Sequence, residues 1–261
     1  MKFRPCIDIH NGKVKQIVGG SLRDEKSEAE ENFVSEKGAE YYASLYKEDG
    51  LKGGHIVLLN PAGTSEYELD MLQAREALSA YPGGLQIGGG ITDKNAAVFL
   101  QAGASHVIVT SYVFRNGFIN YENLGKIFSE TGKEKLVLDV SCRRKGEDYY
   151  IVTDRWQKFT NEKLSLELLS DLSGYCDEFL IHAVDVEGKS SGIEMDLINL
   201  LSNWKECPVT YAGGVSSFHD IESIRENGKG NIDVTIGSSL SLFGGPLPYK
   251  KVVDWFSQYA G

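Results

Sequence analysis

The sequence repeats itself at long range. Asp8 closes the apolar run Cys6-Ile7-Asp8-Ile9, and 131 residues later Asp139 closes the run Leu138-Asp139-Val140. Gly89-Gly90-Ile91 returns 124 residues on as Gly213-Gly214-Val215, and Val109-Thr110-Ser111 returns 127 residues on as Ile236-Gly237-Ser238. Three features recurring in one order at nearly one spacing mark two similar halves, which restricts the chain to folds that can be built by doubling.

Each half alternates short apolar runs with segments of helical periodicity. Strands are predicted at 3–9, 55–59, 85–87, 106–110, 135–140, 178–183, 209–211 and 233–236. Helices are predicted at 65–80, 93–102, 121–129, 164–174, 196–204, 219–227 and 249–259. The strand runs are brief and mostly continuous in apolar character, as parallel strands covered on both faces are. Eight such units in about 250 residues favour an α/β fold closed into a (β/α)₈ TIM barrel over an open, doubly wound sheet. A single barrel domain over residues 1–261 is expected, with half-barrels at about 1–130 and 131–261. Residues 142–159 break the rhythm with Arg143-Arg144-Lys145-Gly146, then Tyr149–Val152, then Asp154-Arg155-Trp156. They read as a long loop with its own hairpin after the fifth strand, on the face where barrel active sites are built.

A formal net charge of −10 disfavours nucleic acid and anionic membranes as partners. It leaves room for a small phosphorylated ligand, because backbone N–H groups and helix N-termini supply local positive potential. Cys6, Cys142, Cys176 and Cys207 are scattered and form no C-x-x-C pair, so reduced thiols in the cytoplasm are expected, without a disulfide framework or a zinc site. Arg4, Asp8 and His10 interrupt any secretory h-region, and no apolar run reaches bilayer length.

The repeated features point to one kind of ligand. A Gly-Gly step lets backbone approach a ligand closely, and the following helix offers free N–H groups. Gly89, Gly90, Thr110 and Ser111 form one candidate phosphate site; Gly213, Gly214, Gly237 and Ser238 form a second on the far side of the barrel mouth. Tight βα turns alone would explain any single one of these glycine pairs. A lone Asp at a strand end usually caps a helix, but two at symmetric positions suit proton abstraction by one carboxylate and donation by the other, with their pKa values held apart. Neither Asp has a His-x-His or acidic cluster nearby, so no metal is expected. Arg155 and Trp156 suit a phosphate and a heteroaromatic ring. His182, with Asp185 shortly after it, reads as a buried, hydrogen-bonded histidine that is also placed for a polar substrate contact.

The run Pro5-Cys6-Ile7-Asp8-Ile9-His10-Asn11-Gly12-Lys13-Val14-Lys15 resembles the start of the histidine-biosynthesis isomerase family. Gly88-Gly89-Gly90-Ile91, Thr153-Asp154-Arg155-Trp156-Gln157, Ile181-His182-Ala183-Val184-Asp185 and Ala212-Gly213-Gly214-Val215 extend the likeness along the chain, most closely to the fungal and plant branch. The resemblance implies an Amadori rearrangement of a bis-phosphorylated small molecule, the phosphoribosylformimino-aminoimidazole carboxamide ribotide aminoaldose, to its ribulosyl aminoketose. It implies no cofactor and no metal, and a monomer is expected. By the same resemblance Asp8 is the general base at C2′, Asp139 the general acid at the ribose ring oxygen, and Trp156 the stacking residue on the imidazole. Two positions depart from the family: relatives carry Thr near the end of strand six where this chain has Ala183, and often Arg where it has Gln16.

Rival readings share the doubled barrel. The cyclase subunit of imidazole glycerol phosphate synthase also has aspartates on strands one and five but works with a glutaminase, and the Arg-Trp-Gln loop favours the isomerase. An isomerase that also accepts phosphoribosylanthranilate and a non-catalytic phosphosugar-binding barrel complete the set; the paired aspartates speak against the last.

Overall fold

The computed structural model describes residues 1–17, 31–154, 156–188 and 192–259; Arg155, one of the expected phosphate ligands, lies outside them. Eight parallel strands follow the chain: β1 Cys6–His10, β2 Gly54–Leu58, β3 Leu85–Gly88, β4 Val107–Val109, β5 Leu136–Asp139, β6 Glu178–His182, β7 Val209–Ala212 and β8 Ile232–Thr235. Each pairs in parallel with its neighbours in that order. The ring closes where Phe3 bridges Val234: Arg4 N donates to Val234 O at 2.9 Å, and Val234 N to Lys2 O at 2.9 Å. The closed barrel expected from the sequence is therefore present.

One helix follows each strand among the described residues: α1 Ala39–Glu48, α2 Ser65–Ala80, α3 Ala96–Gln101, α4 Tyr121–Thr131, α5 Leu166–Ser173, α6 Met195–Leu201, α7 Phe218–Asn227 and α8 Tyr249–Ser257. Side-chain caps start four of them, at Thr64, Asn120, Ser165 and Ser217. At Ser217 the cap is reciprocal, since Asp220 bonds back to the Ser217 amide at 2.9 Å. Helix α1 was not anticipated. Its buried face is Ala39, Tyr42, Ala43 and Tyr46, small and amphipathic residues with little apolar contrast, and its N-cap is Gly38 with no side-chain bond.

Three additions decorate the barrel among the described residues, the smallest a hairpin of Phe114–Arg115 and Phe118–Ile119 after β4. β1 runs on into antiparallel strands Lys13–Ile17 and Glu31–Val34, also unanticipated. The long loop after β5 is a three-stranded antiparallel sheet, Cys142–Lys145, Asp148–Thr153 and Lys158–Lys163, one strand more than the expected hairpin.

The main core lies between barrel and helices, where Ile7, Ile56, Ile87, Phe179, Tyr211 and Val234 meet Tyr46, Leu78, Phe99 and Leu124. Burial of each large apolar side chain contributes about 1.5–3 kcal/mol. The inside of the barrel is different. A small apolar layer of Ile108, Val137, Leu180 and Ala212 sits there, above a polar network at the base. Arg4 pairs with Asp233 at 2.8 Å and with Glu178 at 3.4 Å. Glu178 also accepts from Gln86 Nε2 at 2.9 Å and Thr210 Oγ1 at 2.5 Å. The strands thus alternate apolar-out and polar-in at many positions, and the polar side chains at their upper ends form the site.

Candidate active site

A cavity of about 290 Å³ opens at the carboxyl ends of the strands. It is lined by Asp8, Gly89, Gly90, Thr110, Ser111, Asp139, Trp156, His182, Gly213, Gly214, Gly237 and Ser238. Every described residue singled out from the sequence as catalytic or phosphate-binding thus faces one space. Asp8 on β1 and Asp139 on β5 stand four strands apart in a ring of eight, on opposite walls.

The glycine turns are near copies of each other. Gly89 and Gly90 have φ of +100° and +68°; Gly213 and Gly214 have +125° and +73°. A Cβ at Gly89 would lie 2.1 Å from Leu58 O, and one at Gly214 would lie 2.0 Å from Gly192 O. Glycine is required here by the left-handed backbone and by neighbouring main chain, whatever ligand is present. Tyr67 OH and Asn95 Nδ2 hold the carbonyls of Gly89 and Gly90, each at 3.0 Å.

The two aspartates occupy contrasting surroundings. Among the described residues Asp8 accepts one bond, from Gln16 Nε2 at 3.2 Å. Burial and the nearby Glu187 carboxylate push its pKa up from 3.8 to about 7, against the opposing pull of His182 and Gln16. Gln16 is a neutral amide and so holds this carboxylate down less than a cation would. Asp139 is surrounded by donors: Thr110 Oγ1 at 3.1 Å on one oxygen, and on the other Ser141 N at 2.8 Å, Ser141 Oγ at 2.6 Å and His182 Nδ1 at 3.5 Å. Burial alone would raise its pKa, but His182 and Ser141 overcome this and hold it below the usual carboxylate range.

His182 is buried on β6. Desolvation works against its charge, yet Asp139 first, then Glu187 and Asp8, raise its pKa to about 9. It is therefore an imidazolium at neutral pH. Its ring lies 5.6 Å from Trp156 at a 44° tilt and 6.0 Å edge-on from His55. Trp156 has φ +66° and Asp154 φ +51°, uncommon values for non-glycine residues. The indole Nε1 donates at 3.0 Å to Ser141 Oγ, whose own proton goes to Asp139.

Several participants were invisible to sequence reasoning. Thr110, expected at a phosphate, spends its hydroxyl on Asp139. Ser141 has only the Asp-x-Ser spacing to announce it. Glu187 lines the cavity, and its buried Oε2 has no hydrogen-bond partner among the described residues; its one signal is the acidic pair Asp185-x-Glu187 after strand six. Ala183 makes only backbone bonds, donating its N–H to Ala212 O at 2.8 Å and accepting from Val186 N at 3.2 Å, and His182 next to it is the polar group reaching Asp139.

Cys6, Asp8 and His55 bring sulfur, carboxylate and imidazole donors within 4.8 Å of one another. Burial pushes the Cys6 thiol well up and lowers the His55 ring to about 3. A protonated thiol is a poor metal ligand, so the trio suits a neutral cavity wall better than a cation cradle. Among the described residues, no helix is long and apolar enough to cross a membrane.

Comparison with known proteins gives the geometry its family. The pattern that defines the family described as "histidine biosynthesis protein" matches residues 2–245. A chloroplastic 1-(5-phosphoribosyl)-5-((5-phosphoribosylamino)methylideneamino)imidazole-4-carboxamide isomerase of Medicago truncatula is 53% identical over 99% of this chain and 82% of its own length. The isomerase of the same name from Neurospora crassa is 45% identical over 97% of this chain and 98% of its own. That of Saccharomyces cerevisiae is 41% identical over 94% of both chains. The chain therefore belongs to the histidine biosynthesis protein family and is an isomerase.

Proposed function

We infer that the chain converts the phosphoribosylformimino-aminoimidazole carboxamide ribotide aminoaldose into its phosphoribulosyl aminoketose. The observation carrying this reading is that Asp8 and Asp139 face each other across one cavity whose two ends are built from matching glycine turns. A substrate with a phosphate at each end spans such a mouth, with Gly89, Gly90 and Ser111 at one end and Gly213, Gly214, Gly237 and Ser238 at the other. Its central sugar then lies between the carboxylates.

The rearrangement opens the ring C1′–O bond and otherwise moves only protons. One goes onto the ribose ring oxygen as the C1′–O bond opens to an imine, and one leaves C2′ to give an enolamine. Asp8, with its pKa near 7, is poised to act as the base. Asp139 and the groups bonded to it supply the acid side. Trp156 is the flat face for the imidazole ring, as its place beside His182 at the cavity wall supports. The four free cysteines fit a cytoplasmic setting. We read the protein as a monomer with no nucleic-acid partner.

The test is conversion of the purified aminoaldose without ammonia or a glutaminase. Stoichiometric aminoketose is expected. Failure to form aminoketose, together with ammonia-dependent consumption of the preformed aminoketose, would assign the barrel to the cyclase reaction, and binding without turnover of either would make it a phosphosugar-binding barrel.

A further inference from the structure

We propose that Cys176 and Cys207 form a reversible oxidation site at the amino-terminal end of the barrel, where attack of Cys207 on a hydroperoxide leaves the two residues joined as a disulfide. The site lies at the opposite end of the strands from the cavity and is independent of the isomerase reading.

The fold brings the two thiols together. Cys176 lies two residues before β6 and Cys207 two before β7, and these strands run side by side with Phe179 opposite Val209. The pairing reaches below the strands, since Phe179 N donates to Pro208 O at 3.0 Å. Continued by two residues, that register sets Cys207 opposite Asp177, next to Cys176. A strand spacing of about 4.8 Å and a step of about 3.3 Å along the chain put the two Cα atoms roughly 6 Å apart, within the span that a disulfide bridges. The sulfurs themselves meet: the Cys176 thiol donates to Cys207, with Leu172 O, 3.8 Å away, as its alternative acceptor. Trp204 fixes the segment, donating from Nε1 to Cys207 O at 2.9 Å and packing edge-on against Phe179 at 5.8 Å.

Their surroundings divide the labour as a two-thiol sensor requires. Cys176 is buried, and its bond to Cys207 together with that burial keeps it protonated. Cys207 is only partly buried, between exposed Glu206 and Pro208. The bond from Cys176 first, then Trp204 and Lys133, hold its pKa below the ordinary thiol value against partial burial and Asp177. Cys207 is therefore the thiolate that an oxidant in solution meets, and Cys176 the thiol that resolves it. Cys6 and Cys142 are buried and their thiols pushed well up by that burial, so oxidation selects the pair.

The electrons balance on one hydrogen peroxide. The Cys207 thiolate attacks a peroxide oxygen, the O–O bond breaks, and a sulfenic acid forms as hydroxide leaves and takes up the proton that Cys207 had released. The Cys176 sulfur then attacks the Cys207 sulfur; the S–O bond breaks and the hydroxyl departs as water with the Cys176 proton. Two thiols become one disulfide while the peroxide becomes two waters, and a dithiol reductant reverses the step by exchange. The bridge closes a loop of about 30 residues and ties the entry of β6 to that of β7.

The intact, reduced protein is treated with hydrogen peroxide, alkylated, and digested with trypsin without reduction. Loss of two of the four free thiols and a disulfide joining peptides 164–189 and 206–225 are expected, and dithiothreitol should restore all four. The oxidised protein should melt roughly 5–10 °C higher. Cys176→Ser should stop at a sulfenic acid on Cys207, trapped by dimedone, and Cys207→Ser should form no bridge; the wild-type readouts stand without either variant. Four thiols surviving in the folded protein, a sulfinic acid on Cys207 with no bridge, a bridge through Cys6 or Cys142, or a bridge that lowers Tm would overturn the proposal.

Discussion

Replacing Asp8 with Asn should inactivate the protein and stabilise it in one step. Burial and Glu187 carry the Asp8 pKa from 3.8 to about 7. Each pKa unit corresponds to about 1.36 kcal/mol, so the ionised carboxylate weakens the fold by up to ~4 kcal/mol at pH 8. That net shift already contains the opposing pull of His182 and Gln16, so asparagine should gain up to ~4 kcal/mol, or roughly 8–16 °C in Tm for a chain of this size. The sign follows from proton counting. Between about pH 4 and pH 7 the folded state holds a proton that the unfolded state has released, so wild-type stability falls as pH rises through that window and levels off above it. The advantage of Asp8→Asn should therefore be full at about pH 8 and less than half as large at about pH 5. Thermal unfolding followed by circular dichroism at both pH values measures it, and turnover should drop about 10²–10⁴-fold in parallel. A variant no more stable than wild type at pH 8, or equally stabilised at both pH values, would show that this carboxylate is not held under strain.

Three further perturbations probe other parts of the account. Trp156→Ala should raise the substrate Kd about tenfold, or ~1.4 kcal/mol, by calorimetry; an unchanged Kd would leave Trp156 as wall and brace alone. Gly89→Ala puts a Cβ 2.1 Å from Leu58 O at φ +100°, and should lower stability by ~3 kcal/mol or more. Gly132→Ala, at φ +69° in open space, should lower it by only ~1 kcal/mol, so equal losses in urea melts would refute the steric reasoning. Arg4→Met leaves Glu178 and Asp233 buried without their cation and should destabilise by about 3–5 kcal/mol in the same assay; a loss under 1 kcal/mol would mean that the basal network does not depend on its arginine.

What could be read from the sequence was whatever recurs or is periodic. The eight strands were found within one to three residues at each end because their outward residues, such as Ile7, Ile56, Ile87 and Val234, are strongly apolar and bury against helices. The inward positions were harder. Gln86 and Thr210 donate to Glu178, and Arg4 joins Glu178 to Asp233 across the barrel; a network joining residues far apart in sequence leaves no local trace. Helix α1 and the Lys13–Ile17 strand escaped for a related reason: the first buries tyrosines and alanines, and the second includes buried Lys15 and Gln16.

The site divides in the same way. Asp8, Asp139 and the two glycine turns were legible because the half-barrel repeat displays each twice. Ser141, Glu187 and His55 have no counterpart in the repeat, and the Asp139–His182 contact joins residues 43 apart. The donors that surround Asp139, from Thr110, Ser141 and His182, come together only on folding and could not be read from the sequence.

The central claim is that one cavity grips a single substrate by both ends. A crystal structure of the protein with the aminoketose product measures this most directly. One phosphate is expected at Gly90 and Ser111, the other at Gly214 and Ser238, with the sugar carbons between Asp8 and Asp139. Both phosphates on one side of the barrel, or a product bound away from Asp8, would contradict it.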